Sequence, residues 1–466
     1  MVHVPVALAP ITLAALLAVA AHAQPRRLML APRPIQPESV ASQYSIKKIG
    51  PLVNGGGSLG SAINNLTQIA GTSLSQTAEQ PYRWSGGMIE GLPITGSGTS
   101  NFAHGINNAG QVVGYASFPG TASEAALWTL TNSMGWQVTG LGIPSGFAFS
   151  IANDLSDDGT RIVGYADNAI ELLVATSWER DDSGDWNMLD MGTLPHNYGS
   201  YANGLNNQGV AVGTSYVPFG TSQATHWQRT NTGWTISALP YLPNGYSQSI
   251  AFAINDSGLI AGAAVASDGY YHATTWSGNS ITDFGTFSGE HSYARAINTS
   301  GTIVGETWGA GLTRAFIGSN SGLHDLNTRI PPDTGWNLRS ATGINDSGQI
   351  VGTGDLGGFW HTFLLTPVAM NLTGPTPGVV GVPNTFSIIA PNDQSIQLYY
   401  AFSAGETAIS GCSAVPLNIA SPTLLATFPD PSSITIELPD EFSGQTVYFQ
   451  AATGCQVSNV VRYTFP

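Results

Sequence analysis

The side chains with the clearest potential for metal chemistry are the acidic residues that follow Trp178, in the segment ERDDSGD. Asp181, Asp182 and Asp185 lie close enough in the sequence to share one cation, and oxygen ligands of this kind suit calcium. Charged residues are also common at hairpin tips, where they discourage pairing with further strands. We therefore expect a solvated hairpin tip and no cofactor, with calcium bound by these three aspartates as the alternative.

Single acidic residues also occur in a short motif, INDSG, at Asp256 and Asp346. A calcium loop needs several carboxylates that converge on one ion. Asn and Gly suit the positive-φ positions of hairpin turns, so the motif predicts a tight turn between two strands. Related copies of the motif carry Asn or Thr in place of the acid, which a ligand shell would not tolerate; these residues are Asn65, Asn108, Asn207 and Thr299.

Sequence patterns typical of enzymes do not stand out in the chain. The histidines lack the H-x-x-x-H and H-E-x-x-H spacings, and no phosphate-binding loop or aspartate dyad stands out. The sequence leaves catalysis open and favours a protein that is not an enzyme.

The INDSG motif belongs to a longer pattern, A-x-x-I-N-x-x-G-x-V-V-G, that recurs seven times. Its closing glycines lie 43 to 50 residues apart, a period in the range of one four-stranded propeller blade. Each unit supplies four short strand candidates, and in most units the third ends in tryptophan. The closing glycines are Gly71, Gly114, Gly164, Gly213, Gly262, Gly305 and Gly352.

This repeat resembles the HAF-type extracellular repeat family of bacteria, from Tyr44 to about Pro367. The resemblance implies an exported, propeller-like repeat protein without an assigned chemistry, and it supplies no catalytic residues. The sequence departs from the pattern at Thr67, where other copies have Gly, and at Ser156, where others have Asn. The third copy also has an inserted residue at Thr160–Arg161.

These units predict an all-β fold in which residues 44–366 form a seven-bladed β-propeller. A ring hides its edge strands by closing, whereas an open stack of repeats needs polar caps, and no cap sequence is present. Tyr44–Ile49 is expected to supply the short strand of the first unit, so that seven complete units fit. A β-solenoid or two stacked sheets are the alternatives.

A second, smaller domain is predicted after the repeats. Residues 367–381 form a Pro/Gly-rich linker, and the alternating runs of 382–466 are typical of an immunoglobulin- or fibronectin-like β-sandwich. The chain has two cysteines, Cys412 and Cys455. An even number of cysteines in an exported protein predicts one disulfide between them.

The N-terminus resembles a secretory signal peptide, residues 1–23, followed by a linker, residues 24–43. An apolar run ends in Ala21-His22-Ala23, the small-x-small pattern that precedes cleavage. The first residues lack Lys and Arg, so an uncleaved anchor is the alternative. The net charge of -15 argues against nucleic acid as a partner. We expect a monomer in the bacterial cell envelope or outside the cell, with no stable membrane insertion after cleavage.

The strongest indication of function is a set of residues that lie three to five positions before the Ala of the repeat. In a closed ring, these loops would converge on one face, where aromatic side chains suit sugars or peptides. Packing between blades is the alternative, because the residue just before the Ala is also apolar in many copies. The candidate ligand-binding residues are Phe147, Tyr198, Tyr246, His291 and Trp336.

The sequence therefore predicts a secreted or cell-surface binding protein whose ligand is a glycan or a protein. A secreted polysaccharide hydrolase or lyase, with its site in the propeller funnel, is the alternative. A third possibility is an adhesive surface protein whose central channel is occluded.

Overall fold

The computed structural model describes residues 44–466 with short gaps. The predicted signal peptide, the N-terminal linker and Cys455 lie outside the described residues. All regular elements of the described chain are strands, apart from two 3-10 turns at Leu326–Thr328 and Asp440–Phe442, so the all-β prediction is confirmed. No helix of the described residues is long and apolar enough to cross a membrane. The gaps are 77, 97, 99, 121–122, 169–171, 218–220, 288–289, 310, 320–321, 331–333, 368–369, 390–394, 410–411, 429–432, 454–455 and 459.

The described part of the repeat region contains seven four-stranded antiparallel sheets. In sheets 1 to 6, four successive strands pair in sequence order. Sheets 1 to 3 contain β2 (Gly57–Ile63), β3 (Ile69–Leu74), β4 (Glu79–Ser85), β5 (Met88–Gly91); β6 (Phe102–Ile106), β7 (Val112–Ala116), β8 (Glu124–Thr131), β9 (Gly135–Gly140); β10 (Phe147–Leu155), β11 (Arg161–Asn168), β12 (Leu172–Arg180) and β13 (Trp186–Asp190). Sheets 4 to 6 contain β14 (Gly199–Leu205), β15 (Val210–Tyr216), β16 (Ser222–Thr230), β17 (Gly233–Ala238); β18 (Ser249–Ile254), β19 (Ile260–Val265), β20 (Tyr271–Ser277), β21 (Ser280–Asp283); β22 (His291–Ile297), β23 (Ile303–Gly309), β24 (Leu312–Ser319) and β25 (Gly322–Asp325).

Sheet 7 is completed by the first strand of the described chain, β1 (Tyr44–Ile49). This strand was expected in the first unit, but it pairs antiparallel with the third strand of the last unit, with Tyr44 opposite Pro367. The buried Tyr44 side chain packs with Phe363 and Leu365 of that sheet, which explains the choice of partner. The other strands of sheet 7 are β26 (Trp336–Ile344), β27 (Ile350–Leu356) and β28 (Phe359–Pro367).

The sheets form a closed, propeller-like ring. The first strand of each sheet contacts the first strand of the next sheet, and β26 of sheet 7 contacts β2 of sheet 1. These first strands are therefore innermost, around a central channel. Closure gives the innermost strands neighbours on both sides, which protects their edges from pairing with other chains.

Every innermost strand has a β-bulge at the same position, one residue after the Ala of the repeat, which Gly60 replaces in the first copy. At each bulge, the carbonyl oxygen of the residue that precedes the Ala lies against the closing glycine, which is on the second strand of the same sheet. A Cβ at Gly213, for example, would overlap the carbonyl oxygen of Tyr201. This overlap explains the glycine in all seven copies. The bulged residues are Ser61, His104, Asn153, Asn203, Phe252, Arg295 and Thr342.

The hydrophobic core lies between neighbouring sheets rather than at the centre of the ring. Trp178 of sheet 3, for instance, packs with Val113 and Leu127 of sheet 2 and is fully buried. Sheets 6 and 7 lack tryptophan at this position and bury Phe316 and Phe363 two residues earlier, directly opposite the closing glycines. Each of these two sheets thus still buries an aromatic side chain between neighbouring sheets, although the residue lies at a different position in the repeat.

The C-terminal region forms further antiparallel sheets. One has the order β29-β30-β35, a second has β34-β31-β36-β37 with β38 paired to β36, and β32 pairs with β33. Residues of the first two sheets, such as Phe386 and Phe449, share one core. The strands are β29 (Asn371–Thr376), β30 (Pro383–Ile389), β31 (Ile396–Ala401), β32 (Ala404–Ile409), β33 (Cys412–Ile419), β34 (Thr423–Phe428), β35 (Ser433–Glu437), β36 (Thr446–Thr453), β37 (Gln456–Val457) and β38 (Val461–Thr464).

Two sequence predictions concern this region. The segment 367–381, expected as a linker, includes β29, which pairs with β30 because Leu372 is buried in the shared core. The Cys412–Cys455 disulfide involves a residue outside the described chain and stays a prediction.

The bulge and the closing glycine give a direct test of the fold. We expect Gly213→Ala to lower the free energy of unfolding by about 3 kcal/mol, because the new methyl group collides with the Tyr201 carbonyl oxygen. Gly278→Ala is the control: Gly278 has φ 56° and open space around it, so only the backbone conformation costs energy, about 1 kcal/mol. Chemical denaturation measures both values. Equal losses in the two variants would contradict the steric role of the closing glycine.

Candidate functional site

The two ends of the central channel are built from different connections. Because neighbouring strands are antiparallel, the turns between first and second strands and between third and fourth strands lie at one end, here called the AB face. The turns between second and third strands, and the loops leading into the next sheet, lie at the other end, here called the BC face. The INDSG motifs lie on the AB face, and the five candidate ligand-binding residues lie on the BC face.

On the AB face, the Asn of each INDSG-type turn connects its own sheet to the next. The Asn255 Nδ2 donates to the Asn298 carbonyl oxygen at 2.9 Å, and its Oδ1 accepts from the Leu259 N–H within the turn. The chain interrupts this series once, at Ser156, whose side chain is shorter and bonds to Asp158 within its own turn. The residues that donate in this way are Asn64, Asn107, Asn206, Asn255, Asn298 and Asn345, all buried.

The residues that follow these asparagines form a second set of bonds at the channel opening. Apart from Thr299, each accepts the backbone N–H of its counterpart in the preceding sheet through a side-chain oxygen, as does Asp157, which follows Ser156. Asp346, for example, accepts from the Thr299 N–H at 2.9 Å. They line an opening of about 200 Å³. The accepting residues are Asn65, Asn108, Asp157, Asn207, Asp256 and Asp346.

The turn prediction for the INDSG motif therefore agrees with the geometry, and each turn also joins neighbouring sheets. Gly348 has φ 73°, and Thr67, which replaces Gly in the first copy, adopts the same left-handed conformation with φ 59°. Among the described residues, no group of three or more His, Cys, Asp or Glu side chains could hold a metal ion.

The bulged residues form a third level of contacts, deeper in the channel. Asn153 and Asn203 each donate through Nδ2 to the carbonyl oxygen of the repeat's Ala in the next sheet, at 2.7 and 2.8 Å. Sheets 5 and 6 differ, because Phe252 and Arg295 stand at this position. The Arg295 guanidinium lies 4.3 Å from the Phe252 ring centroid and pairs with the buried carboxylate of Glu306 at 2.9 Å.

A serine two residues before the Ala of the repeat bonds the inner strand to the third strand of the previous sheet. The Ser150 hydroxyl accepts from the Ala125 N–H at 2.9 Å and donates to the Gly142 carbonyl oxygen at 2.7 Å. The same N–H acceptor role is filled by Ser58, Ser200, Ser249 and Ser292.

Asp154 is an ionisable group of the channel wall that the sequence did not single out. Its two carboxylate oxygens accept from the N–H groups of Leu155 and Leu205, at 2.9 and 2.8 Å. Burial raises the pKa of Asp154 to about 7 against the opposing effect of these N–H groups, and the charge of Asp157 contributes in the same direction. Other copies of the repeat have Ala or Gly at this position. An aspartate among these small residues was the sequence signal that could have identified Asp154.

The ERDDSGD segment forms a hairpin turn on the outer part of the AB face. Asp181 accepts from the Ser183 hydroxyl at 2.7 Å, from the Asp185 N–H and from Asn187, and these bonds lower the pKa of Asp181 to about 2. The Asp181 carboxylate is thus used to hold its own turn together, and the three aspartates are not arranged as a metal site.

On the BC face, the five candidate residues have different surroundings. Tyr198 and Tyr246 are 66% and 57% exposed. Phe147, His291 and Trp336 are half-buried, and Trp336 packs edge-on against Phe363 of its own sheet. No ring contact of the described residues joins two of these five.

His291 is the centre of an aromatic cluster beside the channel. Its ring lies 5.2 Å from Tyr270 and 6.0 Å from Trp308, and its Nδ1 accepts from the Tyr271 N–H. Burial lowers the pKa of His291, which favours the neutral ring that this bond requires. Tyr293 stacks on the other side, at 6.1 Å. His291 is therefore a packing residue at the edge of the exposed surface.

Several exposed aromatic residues on the BC face lie outside the repeat motif and were missed. Tyr270 lies at the turn of sheet 5, and Phe359 and Trp360 lie at the turn of sheet 7; they are 37%, 56% and 37% exposed. Phe287, in the loop leading into sheet 6, is 37% exposed. The available signal was an aromatic residue directly after a glycine turn, as in DGYY and LGGFW.

No protein-family model and no curated protein sequence matches the chain. Three solved structures similar to it are TolB from Acinetobacter baumannii, a gluconolactonase from Xanthomonas campestris, and the sialidase of Trypanosoma rangeli bound to sialic acid. Their identities are 13%, 10% and 9%, and their TM-scores are 0.37, 0.34 and 0.35. The matches cover 67%, 72% and 93% of this chain, and 64%, 99% and 92% of the other chain. The chain thus spans about two thirds of that TolB. All three TM-scores are below 0.5.

The asparagine contacts predict a specific loss of stability. We expect Asn255→Ala to lower the free energy of unfolding by about 2–3 kcal/mol, because it removes the buried bond to the Asn298 carbonyl oxygen and leaves the Leu259 N–H without its side-chain acceptor. Asn279→Ala, at an exposed turn, is the matched control and should change the value by less than about 0.5 kcal/mol. A loss no larger than that of the control would show that the connection between sheets contributes nothing.

The raised pKa of Asp154 predicts a pH-dependent difference in stability. An acid whose folded pKa is about 7, against 3.8 in the unfolded chain, favours folding most below pH 4 and loses that contribution as the pH rises to 7. Asp154→Asn removes this titration, so the melting temperature of the variant relative to the native protein should rise by several degrees between pH 4 and pH 8. Asp182→Asn, at the exposed hairpin, should give no such trend. A difference independent of pH would contradict the raised pKa.

Proposed function

We propose that the chain is a secreted or cell-surface carbohydrate-binding protein built on a seven-bladed β-propeller, residues 44–366, that is followed by an immunoglobulin- or fibronectin-like β-sandwich. The seven four-stranded sheets in a closed ring support the blade count. The core shared by two C-terminal sheets supports the sandwich. Secretion rests on the signal-peptide pattern of residues 1–23, and the resemblance to HAF-type repeats agrees with export.

The observation that carries the binding function is the uneven distribution of exposed aromatic side chains. In the described ring region, every aromatic residue more than about a third exposed lies on the BC face. The turns of the AB face expose aliphatic residues and methionine, such as Leu66, Met88 and Met134. Flat aromatic rings bind the apolar faces of sugars, and they lose little conformational entropy on binding. The exposed aromatic residues are Tyr198, Tyr246, Tyr270, Phe287, Phe359 and Trp360.

The polar groups of the channel favour binding elsewhere than in its interior. The amides at the AB opening and at the bulges are engaged in bonds between sheets, so few of their donors remain for a ligand. Glu306 is buried and paired with Arg295. The ligand is therefore expected on the outer surface of the BC face, beside Tyr198 and Tyr246.

The second candidate is a polysaccharide hydrolase or lyase, and Asp154 favours it. A carboxyl with a pKa of about 7 could act as a general acid. Glycoside hydrolysis usually needs a second carboxylate across the bond that is cleaved. Release of reducing sugar ends by the native protein, abolished in Asp154→Asn, would support this function over pure binding.

Removal of the two most exposed tyrosines tests the binding function. Tyr198→Ala combined with Tyr246→Ala should weaken binding to an immobilised polysaccharide panel at least tenfold, because it deletes two rings from the contact surface. Leu130→Ala combined with Met134→Ala, two exposed apolar residues on the AB face, is the control and should bind as the native protein does. Unchanged binding by the tyrosine variant would exclude this face as the site.

A further inference from the structure

A pocket of about 220 Å³ lies between sheets 6 and 7, at the BC face. It is smaller than the roughly 300–1,000 Å³ of sites that enclose a drug-sized ligand. It has room for one functional group or one sugar unit. Its lining residues are Leu312, Thr313, Arg314, Asn327, Asn337 and Arg339.

Arg339 reaches this pocket because of a second bulge in β26. The register of β26 against β27 shifts between Leu338 and Ser340, so Arg339 is the extra residue. Within the described part of the chain, its Nη1 makes one contact, of 3.5 Å, to the Thr313 carbonyl oxygen. Its buried Nε has no hydrogen-bond partner among the described residues. A guanidinium in this state has donors available for a ligand.

The rest of the pocket is held in place by its own bonds. Arg314 pairs with Asp325 at 2.7 Å, and the Asp325 carboxylate also accepts from the side chain of Asn327. Asn327 in turn accepts from the Leu338 N–H at 2.7 Å and donates to the Leu338 carbonyl oxygen. These bonds fix the wall next to Arg339. The residues that line the pocket include two arginines and no acidic residue, and Asp325 pairs with Arg314 from outside the lining.

The pocket adjoins the aromatic surface of the BC face. Asn337 follows Trp336 directly, and on the neighbouring strands it is level with Asp355 and Trp360. Asp355 does not line the pocket. Leu312, at the rim, is 46% exposed. A sugar chain that lies on the exposed aromatic residues could therefore place one substituent between sheets 6 and 7.

We propose that this pocket binds an oxyanion substituent, a carboxylate or a sulfate group, of an acidic polysaccharide. The planar guanidinium of Arg339 offers paired N–H donors that match two oxygens of such a group, and Arg314 adds positive charge. This inference rests on the proposed carbohydrate-binding function and specifies its ligand class. The positive pocket selects against neutral polysaccharides, which lack the group that would use the Arg339 donors.

Two pairs of matched polymers test the inference. Polygalacturonate and its fully methyl-esterified form differ only in the free carboxylate, and carrageenan and agarose serve as the corresponding sulfated and unsulfated pair. The native protein should bind at least one charged polymer ten or more times more tightly than its neutral counterpart. The pair that shows the difference identifies the group.

Arg339→Gln should reduce binding of the charged polymer at least tenfold and leave the neutral one unchanged. Arg180→Gln, which makes the same charge change on the exposed hairpin of sheet 3, should bind as the native protein does. If Arg339→Gln does not fold, as judged by circular dichroism, Asn337→Asp replaces it. That variant puts a repelling charge at the rim and should give the same selective loss.

The possible outcomes separate this inference from the proposed function. If the charged and neutral polymers bind equally and Arg339→Gln has no effect, the oxyanion pocket is rejected while carbohydrate binding stands. If the native protein binds none of the polymers or the wider panel, both are rejected. If Arg180→Gln weakens binding as much as Arg339→Gln, the effect is one of net charge and the pocket is again rejected.

Discussion

The hydrogen bonds that join each innermost strand to the neighbouring sheets are the interactions on which this structure depends. They occur at three levels: the asparagine side chains of the turns, the bulged residues, and the serines that precede the bulges. Each bond joins a side chain of an innermost strand or its turn to a backbone group of a neighbouring sheet, and the serines supply the acceptor for an N–H of a third strand. Buried backbone groups without partners are costly, so a ring of separate sheets needs such bonds as well as apolar packing.

This constraint explains why the two faces differ. The AB face is occupied by turns that must all present the same side chains to their neighbours, and its sequence is correspondingly regular. The turns of the BC face do not make this repeated set of bonds between sheets. They differ in length and carry residues such as Tyr270, Phe359 and Trp360. Regular scaffolding on one face and variable, exposed side chains on the other is a common division in repeat proteins, whose binding residues lie on loops held by a rigid framework.

The sequence was informative where a residue type repeats for a steric or hydrogen-bonding reason. Glycines and asparagines at fixed spacing predicted the strands and the turns because few other residues fit those positions. The reason for the closing glycine could not be read, since the carbonyl of Tyr201 approaches Gly213 only after the bulge forms. The pairing of β1 with β28 was also missed, because the sequence of an outer strand does not indicate which sheet the strand joins.

Less of the candidate site than of the fold could be predicted from the sequence. Alignment of the repeats indicated Tyr198 and Tyr246, which are exposed, together with Trp336 and His291, which mainly pack. A sequence cannot separate these cases, because an aromatic ring serves the core and a ligand equally well. The pocket at Arg339 depends on a bulge that only the strand register reveals.

The pairing of β1 with β28 has a consequence for how the molecule is made. Its partners are more than 300 residues apart in the chain, with Tyr44 opposite Pro367. Each of the first six sheets can form from consecutive strands as they emerge, but sheet 7 must wait for both ends of the repeat region. Contacts of such long sequence separation slow folding. Until β1 and β28 meet, the chain exposes open strand edges, which are sites for pairing with other chains.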